Sequence, residues 1–267
     1  MCHYGQPMRK RFILAAAAAG AVVLAFGSPA AAITYGVPDG TAHPQVGALI
    51  ADHAYSDGTW AYCSGTLVSA TVVVTAAHCG YPGQTSARVS FSSHYQDGDK
   101  VYVGRYVPDP RYGGGEADPH DLAVVVFDKA ISGITPAQLP AAGLLDQLKA
   151  SGYLKSADFT AVGYGSYAPQ PAPGGFTYRY DDLRQQASGS FNSLNNAWLR
   201  LSQNPATGDG GTCYGDSGGA NFLGGPSSTL LVATTITGDS VCRSTNVDYR
   251  LDTIDARSFL AQFVALP

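Results

Sequence analysis

Beyond its first 32 residues, the sequence lacks any apolar run long enough to cross a bilayer. It is also poor in basic residues. Three of the 16 Lys and Arg residues, and none of the 20 Asp and Glu residues, lie within residues 1–32, so residues 33–267 carry 13 basic against 20 acidic residues, a net charge of −7. A negative surface repels phosphate groups, which argues against a nucleic acid or an anionic membrane as the partner.

Clusters of metal ligands are absent as well. No Cys-x-x-Cys pair and no Cys/His cluster occurs, so the sequence indicates neither a zinc site nor a cofactor. Beyond residues 1–32 the cysteines are Cys63, Cys79, Cys213 and Cys242. An even number favours two disulfides in a secreted chain, with three pairings possible. Cys63–Cys79 and Cys213–Cys242 close short local loops and are the simplest choice.

Residues 1–32 have the composition of a secretory signal peptide. The basic run Arg9-Lys10-Arg11 precedes an apolar stretch over 12–26, and small residues follow up to Ala32. A membrane anchor is the alternative, but the apolar stretch is shorter than the roughly 20 residues that span a bilayer. We therefore expect residues 1–32 to be removed and 33–267 to be extracellular, with no membrane association after the cut.

Short runs rich in β-branched and apolar residues alternate with clusters of Gly, Pro, Asp and Ser, which predicts an all-β sandwich or barrel. The apolar spacing near the carboxyl end, from Ile254 to Val264, predicts a helix capped by Asp252 or Thr253. A short surface helix is expected over 141–150 and a loop over 166–178. Strands are expected over 45–51, 60–69, 71–77, 87–92, 100–107, 122–127, 159–164, 196–202 and 229–237.

Three stretches carry side chains suited to acyl transfer. Gly215-Asp216-Ser217-Gly218-Gly219 places a serine among glycines, whose N–H groups can face a developing oxyanion. A serine hydroxyl needs an adjacent base, and His78 is the best candidate because it follows a β-rich run. Asp121, at the start of an apolar strand, is the best carboxylate because an ionised group is costly there without a partner. Taken one at a time, each has a purely structural explanation: Ser217 could belong to an ordinary loop, His78 could be a surface histidine, and Asp121 could simply begin a strand.

Taken together, the stretches resemble the three signatures of chymotrypsin-like (trypsin-fold) serine peptidases. The matching residues are Thr75-Ala76-Ala77-His78-Cys79, Asp121-Leu122-Ala123-Val124 and Gly215-Asp216-Ser217-Gly218-Gly219. Residues 33–36, 63–67, 139–140 and 163–165 extend the resemblance to nearly all of 33–267. The resemblance implies two antiparallel six-stranded β-barrels, roughly 33–135 and 136–250, with the active site in the cleft between them and a short C-terminal helix after them.

The resemblance also implies roles for individual residues. His78, Asp121 and Ser217 would form a catalytic triad, and the N–H groups of Gly215 and Ser217 would form the oxyanion hole. The second disulfide, Cys213–Cys242, would brace the wall of the specificity pocket.

Two further residues, Ile33 and Asp216, match the family's activation pair. The Asp216 carboxylate would bind the amine that is freed at Ile33. Because Ala32 directly precedes Ile33, the signal cut itself would free this amine. The start Ile33-Thr34-Tyr35-Gly36 departs from the family's usual Ile-Val-Gly-Gly.

The primary specificity pocket is the part that departs most from the family. In the family, the residue six positions before the nucleophile lies at the pocket base, and here it is Gly211, which supplies no charge. Thr237 and Gly238 stand in the wall segment, where the usual Ser-Trp-Gly is missing. Asp209 or Asp248 could still place a charge near the pocket. We expect cleavage after uncharged residues, apolar or aromatic.

The sequence thus predicts a secreted, monomeric serine endopeptidase that acts on proteins or peptides through an acyl-enzyme, with no cofactor and no metal. One alternative is a catalytically silent homologue that serves as a binding module. Another is an esterase with a convergent triad, but an α/β-hydrolase places its serine before the Asp and His, whereas the order here is His, Asp, Ser.

Overall fold

The computed structural model describes residues 33–113, 115 and 117–267. The signal peptide expected over 1–32 lies outside the described residues. The helices are α1 (Leu144–Ala150) and α2 (Ile254–Leu260). The strands are β1 (Val37–Pro38), β2 (Val46–Ile50), β3 (Ala61–Ser69), β4 (Val72–Thr75), β5 (Ser86–Ser90), β6 (Tyr102–Pro108), β7 (Ala123–Val126), β8 (Asp158–Gly163), β9 (Gln170–Ala172), β10 (Gly175–Thr177), β11 (Gln185–Leu194), β12 (Trp198–Ser202), β13 (Ala220–Leu223), β14 (Leu231–Gly238) and β15 (Thr245–Arg250).

Six strands, β2 to β7, close the first barrel in the order β2-β3-β4-β7-β6-β5, with every pair antiparallel. β4 and β7 are runs of β-branched valine, which favours strands, and Val73 lies opposite Val125. Both side chains are fully buried in the barrel interior with Leu49 and Val89. The two strands that precede His78 and follow Asp121 are therefore adjacent, which fixes the relative position of these two residues.

The second barrel is also closed and antiparallel. Its strands follow the order β8-β11-β12-β15-β14-β13, and β13 pairs back with β8. The structure thus confirms two six-stranded barrels and a short C-terminal helix. β1 joins the second barrel by pairing with β11, and Thr34 forms a backbone bridge with Gly211. The segment that begins at Ile33 is therefore hydrogen-bonded to the second barrel rather than to the first, while the division into 33–135 and 136–250 stays a prediction.

Several strands were not expected from the sequence. β11 reads QQASGSFNSL and β15 reads TNVDYR, and neither has the apolar pattern of a typical strand. Pairing with neighbours stabilises them instead, since β11 pairs with β1, β8 and β12 along its length. β13 was not expected either, and it has only four residues. The stretch 166–178, expected to be a loop, contains the hairpin of β9 and β10.

The carboxyl-terminal helix forms as expected, but one residue that was assigned to its buried face is exposed. Thr253 caps α2 by accepting a hydrogen bond from the Ala256 N–H at 3.2 Å. Phe259 and Leu260 are buried, but Ile254 is 86% exposed, so its assignment to the apolar face was wrong. On α2 it lies on the face opposite the buried residues Ala256, Phe259 and Leu260. Among the described residues, no helix has the length and apolar character needed to cross a membrane.

Arg184 is a buried cation that joins the two barrels. Its guanidinium donates to Asp39 at 2.8 Å and to the carbonyl oxygens of Gly40, Val46 and Phe91. Burial opposes ionisation of Asp39, but hydrogen bonds from His43 and Arg184 outweigh it and hold the pKa of Asp39 below its usual range. The pair is thus ionised, and each charge depends on the other.

Replacing Arg184 with methionine should therefore destabilise the protein strongly. Arg184→Met leaves the Asp39 carboxylate buried without its cation, which costs about 3–5 kcal/mol of unfolding free energy. Urea unfolding measures the loss. Arg105→Met is the matched control, because Arg105 is exposed on β6 and should change stability by less than about 0.5 kcal/mol. Equal stability of the two variants would contradict the prediction.

Candidate active site

His78 lies on a 3₁₀ turn, Ala77–Cys79, directly after β4. Two interactions fix this turn. The disulfide Cys63–Cys79 ties it to β3, and the Tyr106 hydroxyl group donates to the carbonyl oxygens of Ala76 and Ala77 at 3.1 and 2.8 Å. The imidazole is thereby presented from a rigid element rather than from a free loop.

Asp121 lies beside His78 at the entrance of β7 and is 7% exposed. One carboxylate oxygen, Oδ1, accepts from the His78 backbone N–H at 2.9 Å. The other, Oδ2, lies 2.7 Å from His78 Nδ1. Since the carboxylate can only accept, this contact places the imidazole proton on Nδ1 and leaves Nε2 free to take a proton.

Ser217 lies on a turn that is bound to the first barrel. The Ser64 N–H donates to the Ser217 carbonyl oxygen at 2.8 Å, and the Ser64 hydroxyl donates to the carbonyl oxygen of Gly215 at 3.2 Å. Gly215 and Gly218 have φ values of +95° and +77°, which side-chain-bearing residues rarely adopt. The glycines on either side of the serine are therefore required by the backbone conformation.

Ser217 and His78 line one cavity of about 240 Å³. No hydrogen bond joins the Ser217 hydroxyl to the His78 ring, and hydrogen bonds between catalytic groups often shorten only when substrate binds. Neither the Gly215 nor the Ser217 N–H donates to an acceptor among the described residues. A base and a hydroxyl thus line one cavity, and two free N–H groups lie on the same turn as the hydroxyl, which are the groups that acyl transfer requires.

The structure does not bring Ile33 and Asp216 into contact. In the full chain Ile33 follows Ala32, and its N–H donates to Gln185 Oε1 at 3.1 Å. The Asp216 carboxylate is fully buried and accepts from the N–H groups of Gly165 and Cys213 at 2.7 and 2.8 Å. Burial without a cation raises the pKa of Asp216 to about 7, and the two N–H groups only partly oppose this.

The raised pKa of Asp216 makes stability depend on pH. The folded chain keeps this carboxyl protonated to about pH 7, whereas the unfolded chain ionises it near 3.8. The stabilisation is therefore complete below about pH 4 and is lost as the pH rises to about 7, by about 4 kcal/mol in total. Urea unfolding of the full chain between pH 4 and 7 tests this, with Asp216→Asn compared at each pH. A difference between the two proteins that does not change with pH would contradict the prediction.

The cavity differs in part from the pocket expected from the sequence. Thr237 and Gly238 line it, as does the disulfide Cys213–Cys242, whose Cα atoms are 5.3 Å apart. Gly211 is not among the lining residues. Its N–H and carbonyl groups pair instead with Thr34, at 3.0 and 2.9 Å.

The two carboxylates that could have charged the pocket lie elsewhere. Asp209 accepts from the hydroxyl groups of Ser190 and Thr207. Asp248 is fully buried and accepts from Asn221 at 2.7 Å, and burial raises its pKa well above the usual value. Neither residue lines the cavity.

A different acidic residue, Asp239, does line the cavity. Burial opposes its ionisation, but the backbone N–H groups of Thr245, Arg243 and Ser244 outweigh this and lower its pKa. Its remaining partner is Gln203, at 3.2 Å. Neither Asp239 nor Gln203 was singled out from the sequence, because neither belongs to a motif.

A metal centre is not supported near the site. Ligand atoms of Cys63, His78 and Cys79 lie within 4.8 Å of one another. Both sulfur atoms are joined in a disulfide, however, so they cannot act as thiolate ligands.

The sequence is similar to known proteins over most of its length. A family model described as Trypsin matches residues 40–254, which is most of the chain. A curated protein named Trypsin, from Phaedon cochleariae, is 36% identical over 90 residues, which are 31% of this chain and 34% of that protein. The match therefore spans about a third of the length of this relative.

Proposed function

The chain belongs to the trypsin family of chymotrypsin-like serine peptidases, and we propose that it is a secreted endopeptidase with the triad His78, Asp121 and Ser217. Family membership supports a serine peptidase that acts on proteins or peptides. The triad is supported by one observation above all. The Asp121 carboxylate lies 2.7 Å from His78 Nδ1, and the imidazole shares its cavity with Ser217.

The chemistry follows from these three side chains. Ser217 Oγ attacks the peptide carbonyl carbon while His78 Nε2 takes the hydroxyl proton. The C–N bond then breaks, His78 delivers that proton to the leaving amine, and an acyl-enzyme remains. His78 Nε2 next takes a proton from a water molecule, whose oxygen attacks the ester carbonyl carbon. The bond between that carbon and Ser217 Oγ then breaks, His78 returns the proton to Ser217 Oγ, and the acid product leaves.

The oxyanion hole is proposed to consist of the N–H groups of Gly215 and Ser217. Both are free of other acceptors among the described residues and belong to the same turn. Negative charge develops on the carbonyl oxygen only as the tetrahedral intermediate forms. Donors that are held in place beforehand therefore stabilise the transition state more than the bound substrate.

Export and activation are proposed to be one event. Removal of residues 1–32 as a signal peptide would turn the Ile33 N–H into an amine beside the second barrel. The resulting ammonium group could then leave Gln185 and pair with Asp216, whose buried carboxyl has no cation beside it among the described residues. Amino-terminal sequencing of the active extracellular protein tests this, and a start well downstream of Ile33 would contradict it.

Cleavage is proposed to follow an uncharged residue, with the protein acting as a monomer. Gly211 provides no charge at the expected pocket base, and neither Asp209 nor Asp248 reaches the cavity. Asp239 does line the cavity, but its carboxylate already accepts hydrogen bonds from Gln203 and from backbone N–H groups. The apolar side chain of Ile236 and the disulfide Cys213–Cys242 contribute to the lining.

The alternative, a catalytically silent homologue, is the less favoured because all three reactive side chains are present. Covalent labelling distinguishes the two functions. A fluorophosphonate should modify Ser217 in the purified protein, and prior denaturation should abolish the labelling. A folded protein that resists the reagent would support the silent homologue.

A further inference from the structure

We propose that Asp57 selects an arginine side chain at the second residue after the cleaved bond. This side chain would lie in a cavity of about 390 Å³ beside the active site, which we call the tyrosine cavity because its lining includes Tyr55, Tyr62, Tyr180 and Tyr214. The inference rests on the proposed peptidase function and deepens it by naming the class of substrate on the leaving side.

The tyrosine cavity adjoins the position of the reacting bond. Gly215, whose N–H is proposed to bind the carbonyl oxygen of that bond, lines this cavity. Tyr214 lines both the tyrosine cavity and the cavity that contains His78 and Ser217. A Cβ built on Gly215 would lie 3.5 Å from a ring carbon of Tyr180, so that ring packs against the same turn. The two cavities are therefore neighbours that share Tyr214 as a wall.

The geometry of an extended peptide indicates which substrate residue reaches the tyrosine cavity. Successive side chains of an extended chain point to opposite sides. When the side chain before the cleaved bond enters the cavity with Ser217, the first residue after the bond points away, and the second points back roughly 7 Å further on. A third cavity, lined in part by Asp121, shares Ile236 and Thr237 with the first and suits the residues before the bond. The tyrosine cavity is left for those after it.

Asp57 is held at the tyrosine cavity by a closed turn. The Tyr55 N–H donates to the Thr59 carbonyl oxygen at 2.8 Å, and the Gly58 N–H donates to the Tyr55 carbonyl oxygen at 2.9 Å. Asp57 Oδ1 accepts from the N–H and the hydroxyl of Thr59 at 3.0 and 2.7 Å. The residue is exposed, and its Oδ2 accepts no hydrogen bond within the described part of the chain. One acceptor in the lining is thus open to a substrate.

The tyrosine cavity carries a negative charge. Hydrogen bonds from the Thr59 hydroxyl and N–H outweigh burial and lower the pKa of Asp57, so its carboxylate is ionised at neutral pH. No Lys, Arg or His is among the described residues that line the cavity. Asp182 lies behind the wall, is 4% exposed, and accepts from the N–H groups of Trp60 and Ala61 at 2.8 Å each. The charge that a substrate can reach is therefore that of Asp57.

The four tyrosines favour arginine over a compact cation. A guanidinium group is planar, so it can stack on an aromatic face while it donates to a carboxylate. Burial is the main cause of the raised pKa values of Tyr55 and Tyr180, and the charge of Asp57 contributes to both. The Tyr214 ring is fixed by an edge contact with Tyr178, with 4.9 Å between ring centroids. Aromatic faces beside one open carboxylate match a guanidinium.

Matched peptides test the proposal directly. Internally quenched peptides would differ only at the second residue after the cleaved bond, which is arginine, its uncharged isostere citrulline, or glutamate. We expect kcat/KM to be about fivefold higher for arginine than for citrulline, and lowest for glutamate. The preference should shrink between about 0.05 and 0.5 M salt, because salt screens exposed charges. The same exchange at the first residue after the bond should change the rate little.

Two variants assign the preference to one carboxylate. Asp57→Asn removes the charge but can keep a carbonyl oxygen for the Thr59 N–H, so the turn is retained. It should lower the arginine-to-citrulline ratio to about one. Asp52→Asn is the matched control, because Asp52 is an exposed carboxylate that lines a neighbouring cavity and not the tyrosine cavity. This variant should keep the wild-type ratio.

The outcomes separate this inference from the proposed function. Equal wild-type rates for arginine and citrulline, or a ratio that survives in Asp57→Asn, would overturn the role of Asp57. An arginine preference before the bond that disappears in Asp57→Asn would overturn the assignment of the tyrosine cavity to the leaving side. The wild-type ratio and its salt dependence need no variant, so they decide the matter even if Asp57→Asn fails to fold. If wild type cleaves none of the peptides, the proposed function itself fails.

Discussion

Ser217→Ala is expected to lower kcat for peptide hydrolysis by at least about 10⁴-fold. The variant removes the only atom that bonds covalently to the substrate in the proposed mechanism. The remaining N–H donors and the binding cavity can still polarise the carbonyl, so a small residual rate above that in water is expected. KM should change little, since the hydroxyl contributes mainly to the transition state.

The control is Ser156→Ala, which removes an exposed hydroxyl on the short helical turn that follows α1. It should keep the wild-type kcat. Thermal unfolding of both variants should match wild type, because the Ser217 contact that anchors the turn is made by its backbone carbonyl oxygen. Undiminished hydrolysis by purified Ser217→Ala would remove Ser217 from the mechanism.

Asp121→Asn should lower kcat by about the same factor, near 10⁴-fold at neutral pH, because it changes which nitrogen of His78 carries the proton. The His78 backbone N–H donates to Oδ1, so an asparagine must keep its carbonyl oxygen there and turn its amino group towards Nδ1. Nδ1 then has to accept, and the imidazole proton moves to Nε2. His78 in this tautomer cannot take the proton of Ser217.

Asp128→Asn is the matched control, because Asp128 is exposed just after β7 and should leave kcat unchanged. Fluorophosphonate labelling of Asp121→Asn should slow in parallel with hydrolysis, since both reactions need the activated serine. A wild-type labelling rate combined with slow hydrolysis would mean that Asp121 acts elsewhere than on the nucleophile.

The sequence was sufficient to propose the parts of the site that lie in local motifs. His78, Asp121 and Ser217 each stand in a short stretch whose neighbours are also typical of the family. The strand pattern alone predicted a sandwich or a barrel, and the two six-stranded barrels were implied by the resemblance to the family. The sequence interpretation missed Gln203 and Asp239. Their contact spans 36 residues, and Gln203 fits where it does only because Gly211 has no side chain that would clash with it. No local sequence pattern records either fact.

The strands that escaped prediction share a physical reason. β11 and β15 are polar, so their own residues favour turns and loops as much as strands. Closure of a barrel supplies the hydrogen bonds that these sequences do not favour by themselves, and β11 gains such bonds from three neighbours. For such strands the tertiary environment outweighs propensity.

Because Thr34 pairs with Gly211, the amino-terminal segment can take its place only after the chain has been synthesised as far as Gly211. At a synthesis rate of roughly 5–20 residues per second, Gly211 follows Thr34 by roughly 10–35 s. The strands of the first barrel lie within 46–126 and can close during that interval, whereas the amino-terminal segment must wait for a partner that has not yet been made. Ile33 therefore becomes buried only after the second barrel has formed, which makes its protection from the solvent a late marker of complete folding.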